Sequence, residues 1–169
     1  MVIKLLSTCK NNVMRLDFLP VLLVAIILRF YGVNWDGGAL FHPDERAILF
    51  HVSDLSLPSF SNALVLFNAL ESPLNPRWFP YGSFPMYLVK FVEELISLFT
   101  EVSFSDLRII GRSISASADV GTVVVTYVLG SKIYNRKVGY LASLLLSLSV
   151  INIQLSHYYA VDTYLTFFI

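Results

Sequence analysis

The chain has 169 residues, 56% of them hydrophobic and 14% charged, with no net charge at neutral pH. Soluble domains run nearer 45–50% apolar and ~25% charged, so lipid is the expected solvent for much of this chain. The charge balance gives nucleic acid nothing to bind, and the single cysteine, Cys9, excludes an internal disulfide or a cysteine-based metal site.

Residues 1–15 carry Lys4, Lys10 and Arg15 and no acid, and read as a cytoplasmic N-terminus. The first apolar stretch, residues 16–33, is 18 residues long. At ~1.5 Å per residue it reaches about 27 Å, close to the hydrocarbon thickness. It starts late and lacks a small-x-small cleavage site, which favours an uncleaved anchor over a signal peptide.

Residues 34–107 form a long segment with three basic residues (Arg46, Arg77, Lys90) and nine acids. Its first part contains Gly37, Gly38, His42, Pro43, Asp44, Glu45 and Arg46. Pro43 suits the first turn of a helix, and the two acids suit its positive end. Adjacent carboxylates there could act as a general base or orient a hydroxyl, while an ordinary acidic helix start explains them equally simply. Asn75 to Tyr87, with Arg77, Trp78 and Tyr81 among prolines and a glycine, reads as a structured loop, either an aromatic anchor or a cleft wall. Residues 81–99 are apolar but carry Lys90, Glu93 and Glu94. Each charge would cost ~2.5–3.5 kcal/mol at the centre of a span, so an amphipathic interfacial helix is expected instead.

Two further spans are expected at 108–130 and 138–155, joined by a basic turn at 131–137 holding Lys132, Arg136 and Lys137. The two basic ends agree across an even number of crossings, which puts them in the cytoplasm and the long loop outside. Within the second span, Arg112 and Asp119 lie seven residues apart on one helix face. They are functional candidates or a structural ion pair. Gly111, Ser115, Ala118, Asp119 and Thr122 form a small-residue stripe for close helix packing. Residues 156–169 read as an outer loop with His157 and Asp162, followed by the start of a fourth span that is cut off. The expected fold is therefore an all-α membrane protein, multi-pass in the cell membrane: about three complete transmembrane helices plus the start of a fourth, and a long extracytoplasmic first loop containing interfacial helices. A metal site from His42, Asp44, Glu45 or His51 matches no standard spacing, so no metal and no other cofactor is expected.

Four stretches together resemble the membrane glycosyltransferases of the GT-C fold, in the bacterial branch related to protein O-mannosyltransferases and aminoarabinose transferases. They are Leu28-Arg29-Phe30-Tyr31-Gly32 leading to His42-Pro43-Asp44-Glu45; Pro80 to Leu88; Gly111 to Thr122; and Gln154 to Thr163. The resemblance implies transfer of a sugar from a polyprenyl-phosphate donor to an acceptor hydroxyl on the extracytoplasmic side. It implies catalytic Asp44 supported by Glu45, with Asp162 lining the same cavity and Arg112 meeting the donor phosphate. His157 and Tyr81 join these as substrate-binding candidates, and His157 stands where many relatives have arginine. Membrane lipids and the lipid-linked donor are the implied partners, and many members of the branch need no metal. Such enzymes have several hundred residues and about a dozen spans, so the chain reads as an N-terminal fragment, inactive alone. The competing readings are a transporter or channel subunit, with Arg112, Asp119 and Asp162 along a pathway, or an inactive truncated remnant.

Overall fold

The computed structural model describes residues 16–169, so the N-terminal segment 1–15 lies outside the described residues. All regular structure among these is helical. A short 3-10 turn, Leu16–Phe18, leads into α1 (Leu19–Phe30). Helix α2 (Pro43–Ser53), a 3-10 stretch (Phe60–Phe67) and α3 (Phe84–Ser97) occupy the long loop. Then come α4 (Phe104–Ile133), α5 (Arg136–Ser147), α6 (Val150–Ser156) and α7 (Val161–Phe168).

Helix α4 is the one helix among the described residues that is by itself long and apolar enough to cross a membrane. Its 30 residues reach about 45 Å. It starts four residues earlier than the expected 108, because Ser103 and Asp106 form a reciprocal capping box. It also runs through Lys132, so the expected basic turn shrinks to Tyr134 and Asn135, with Asn135 capping α5 through Val138 N–H.

The expected first span, 16–33, is shorter: α1 has 12 residues and ends at Phe30, before Gly32 turns the chain with φ +76°. The expected third span, 138–155, is broken into α5 and α6, bent by 58° and long enough to cross a membrane only as a pair. Neither proline nor glycine marks this break. Ser143 and Ser147 turn their hydroxyls back onto the carbonyls of Tyr140 and Leu144, and Ser149 bonds the Asn152 side chain. Such back-bonding competes with the helical ladder and bends helices.

Two apolar clusters hold the elements together. In the first, Phe18, Val21 and Ala25 present one face of α1 to Val123 and Tyr127 of α4, with Phe18 stacked on Tyr127 at 4.1 Å. In the second, Ile48, Leu49 and Val52 of α2 meet Met86 and Val89 of α3, Leu107 and Ile110 of α4, and Tyr159 and Tyr164. The opposite faces of α1 (Leu19, Leu23, Ile27) and α3 (Phe84, Phe91, Leu95) are apolar and exposed. On α3 the charges that argue against a span pair with each other, Lys90 Nζ lying 3.0 Å from both Glu93 and Glu94.

Of the small-residue stripe of α4, Gly111 admits a close approach by an aromatic side chain that is not on a helix: a Cβ there would lie 2.7 Å from the Tyr159 ring. Gly121, outside the stripe, does the same for Phe167, whose ring a Cβ would approach to 2.6 Å. The tightest helix–helix contact lies elsewhere, where Gly130 of α4 meets Gly139 of α5. A Cβ on Gly130 would come 2.8 Å from the Gly139 Cα.

Candidate functional site

The four sequence stretches that carry the resemblance meet at one end of α4, and Tyr159 is the hub. Its backbone N–H donates to Glu45 Oε1 (3.0 Å), its ring covers Gly111, and its hydroxyl donates to the Pro85 carbonyl (2.7 Å). Segment 157–162, the start of α2, the start of α3 and α4 are thereby joined by one side chain and its backbone.

Beneath this hub lies a buried ionic network. Arg112 donates from Nε to Glu45 Oε1 and from Nη2 to Glu45 Oε2, both at 2.7 Å. It also reaches Asp36 Oδ2 (2.7 Å), Asp36 Oδ1 (3.0 Å) and the Val33 carbonyl (2.9 Å). All five guanidinium N–H groups are therefore committed. Arg108 pairs with Asp36 from one turn away (2.5 Å), and Asp36 accepts the N–H groups of Gly38 and Leu40. Two acids and two arginines balance, which is how charge survives burial.

These contacts correct several expectations. Arg112 does not pair with Asp119, because seven helical residues are about 10.5 Å apart along the axis. Asp119 pairs instead with Arg29 (2.6 Å). Glu45 is fully buried with both oxygens bound to Arg112. The phosphate-binding role implied for Arg112 does not match a guanidinium fully enclosed by carboxylates and a carbonyl. His157 has one ring nitrogen 2.6 Å from the Ile153 carbonyl and the other 2.8 Å from the Tyr31 carbonyl, so it ties the end of α6 to the end of α1. Asp36 is one of the nine acids of the loop, and the sequence alone assigns it no role. The signal for it was two arginines four residues apart at the start of α4, which call for a carboxylate between them.

Asp36 is held well below the ordinary carboxylate range, first by its hydrogen bonds from Arg112, with burial opposing and the Gly38 N–H and the charges of Arg112 and Arg108 assisting. A carboxylate depressed in the fold contributes stability above its unfolded value of ~3.9 and loses that contribution as pH falls through the folded value. Thermal unfolding followed from pH 7 to pH 3 should therefore hold steady at first and decline below about pH 4. In Asp36→Asn the decline should flatten, and an unaltered slope would remove Asp36 from the explanation.

Near the network, Tyr81 from the loop before α3 lies close to Asp44 at the start of α2, with Asp162 at the start of α7 near enough for its charge to act on the phenol. Tyr81, on the exposed Pro80–Gly82 turn, has its phenol pushed above the ordinary tyrosine value. The main cause is a hydrogen bond to the Asp44 carboxylate, followed by desolvation and the charges of Asp44 and Asp162. Asp44 is half-buried and Asp162 exposed. Buried polar atoms without partners lie on the same segments: His42 Nδ1, two residues before Asp44, and Thr163 Oγ1 and Tyr164 Oη, just after Asp162. Unpaired buried polar atoms are rare in folded proteins and call for an explanation. Aromatics rim the neighbouring surface, with Trp35 packed against Phe41 and Tyr158, and Tyr158 against His42. Beside them Tyr31, Gly32, Gln154, His157 and Tyr158 line a cavity of about 420 Å³.

Among the described residues no group of three His, Cys, Asp or Glu side chains could hold a metal. Of the set considered from sequence, Glu45 is bound to Arg112 and His51 stacks on Trp78 at 4.9 Å. No family profile matches the chain, and no curated protein or solved structure shows significant similarity to it.

Proposed function

We propose that the chain is the N-terminal part of a multi-pass membrane glycosyltransferase that takes its sugar from a polyprenyl-phosphate donor on the extracytoplasmic side. The observation that supports this reading is the proximity of Asp44 and Tyr81, with Asp162 near enough to act on the phenol by its charge, beside an aromatic rim and the buried Glu45–Arg112–Asp36 network. Asp44 accepts the proton of the acceptor hydroxyl as that oxygen bonds to the anomeric carbon. The bond from that carbon to the donor phosphate breaks, and its electron pair leaves with the phosphate. A base positioned on the acceptor side lowers the barrier for such a displacement. Tyr81 donates to Asp44 and fixes which carboxylate oxygen faces the acceptor, and Asp162 lines the opposite wall. Glu45, Arg112 and Asp36 act by holding this rim in place, and His157 by joining α6 to α1.

In this reading α4 and the bent α5–α6 pair cross the bilayer and α1 enters it. Helix α3 lies at the outer surface with Phe84, Phe91 and Leu95 toward lipid. The transporter reading finds less support. Arg112 and Asp119 serve separate buried networks, and neither lines the cavity beside the rim.

The test is sugar transfer from a radiolabelled polyprenyl-phosphate donor by the intact protein in vesicles, compared with Tyr81→Phe. A hydrogen bond to a charged group contributes about 1.5–3 kcal/mol. Tyr81→Phe should therefore lower kcat roughly 10- to 100-fold while leaving protein amount unchanged. Full transfer by Tyr81→Phe would take the phenol out of the site.

A further inference from the structure

The break between α5 and α6 coincides with a buried charge pair separate from the Arg112 network. Arg29, at the end of α1, donates from Nε to Asp119 Oδ2 (2.6 Å), from Nη1 to the Ser147 carbonyl (2.6 Å) and from Nη2 to the Leu146 carbonyl (3.1 Å). Those two carbonyls belong to the last turn of α5, where helical carbonyls run out of intrahelical donors; the Leu146 carbonyl also accepts from the Ser149 N–H (3.1 Å). On the far side of the break, Asn152 in α6 donates from Nδ2 to Asp119 Oδ1 (3.1 Å) and accepts from the Ser149 hydroxyl (2.7 Å). The guanidinium therefore grips the arm before the bend. The carboxylate grips the arm after it, and the two grip each other. Arg29 and Asp119 are almost wholly buried.

We infer that Arg29, Asp119 and Asn152 form a lock that sets the angle at which α6 leaves α5. The lock thereby sets where the segment from His157 to Asp162 stands at the rim. A buried ion pair serving only to neutralise charge gains little over apolar side chains of similar size. The bonds to the Ser147 and Leu146 carbonyls and to Asn152 are directional, and apolar side chains cannot supply them. They fix a geometry that the serine-rich stretch alone leaves open, since serine back-bonding bends a helix without specifying how far. Beyond α6, His157 lies against the Tyr31 carbonyl and Tyr159 N–H bonds Glu45, so a change in the angle is carried directly to those contacts. The last link, from the angle to Asp162 as a site residue, rests on the proposed function. The angle itself does not.

The experiment measures the distance between spin labels on Lys137→Cys and Gln154→Cys, two exposed positions on the two arms, in the intact protein with Cys9→Ser. The parent should give one narrow distance. The double variant Arg29→Leu/Asp119→Leu leaves no unpaired charge, so it is expected to insert and fold; the narrow distance should be lost to a broad or displaced distribution. Asn152→Ala, which keeps the ion pair and removes one bond, should broaden it in part. The parent distribution in both variants would overturn the lock and leave the pair as charge neutralisation alone. Because the distance is read without donor or acceptor, this outcome is independent of whether the rim transfers a sugar.

Discussion

Arg112→Leu is expected to destabilise the packing of residues 34–107 against α4 by about 3–5 kcal/mol, the cost of leaving buried charges without their partner. Arg112 supplies all five of its donors to Glu45, Asp36 and the Val33 carbonyl, so its loss leaves Glu45 without a cation and Asp36 with one in place of two. Arg108 still pairs with Asp36, but Glu45 keeps only the Tyr159 N–H. Thermal unfolding in detergent and protease sensitivity of residues 34–107 read the effect. Arg112→Lys should recover a fraction only, because an ammonium cannot span two carboxylates bidentately. A variant of normal stability that has lost only transfer would return Arg112 to the donor phosphate and overturn its assignment to the ionic base.

Asp44→Asn should abolish sugar transfer while leaving the fold and protein amount intact. The side chain is half-buried at the start of α2, and the buried contacts of that turn are made by Glu45. Asparagine keeps the shape and can still meet the Tyr81 phenol, but it cannot accept the acceptor proton. General-base catalysis contributes about 10²–10⁴-fold, and a loss of that size in kcat, with donor binding retained, is the expected result. Glu45→Gln should behave differently, losing stability along with activity, because Glu45 lies in the network below. Equal and purely kinetic losses in both variants would contradict the division of roles between the two adjacent acids.

The helices were legible where local pattern and burial agree. Pro43 followed by two acids marked the start of α2, and the apolar residues Met86, Val89, Phe91, Val92, Leu95, Ile96 and Phe99 marked α3 as a helix without telling its buried face (Met86, Val89) from its exposed one (Phe91, Leu95). The long apolar run containing Arg112 marked α4, although its true start depended on the Ser103–Asp106 capping box. The break in the third apolar stretch was not legible. It contains no proline or glycine, and its cause is side-chain bonding to backbone and to Arg29, a residue more than a hundred positions away.

The site was legible as a set of segments and less so as a set of roles. Asp44, Tyr81 and Asp162 do lie near one another, yet charge pairing inside the fold is decided by three-dimensional neighbours that periodicity does not reveal. Helical spacing put Asp119 on the face of Arg112, but the rise between them is too long for a salt bridge, and Arg29 takes the position. Asp36 stood among the loop acids without a role of its own, because a carboxylate before two glycines reads as a turn residue. It is a turn residue, bonding the N–H groups of Gly38 and Leu40, and it is also the partner of both arginines.

The most direct test of the central claim is photo-crosslinking of the intact protein in vesicles with a polyprenyl-phosphate sugar carrying a photoreactive group on the sugar. Attachment should map to the segments around Asp44, Tyr81 and Asp162, and excess unlabelled donor should suppress it. Attachment confined to other segments, such as the Gly130–Gly139 hairpin, or labelling that unlabelled donor does not suppress, would contradict the assignment of the rim as a sugar-transfer site.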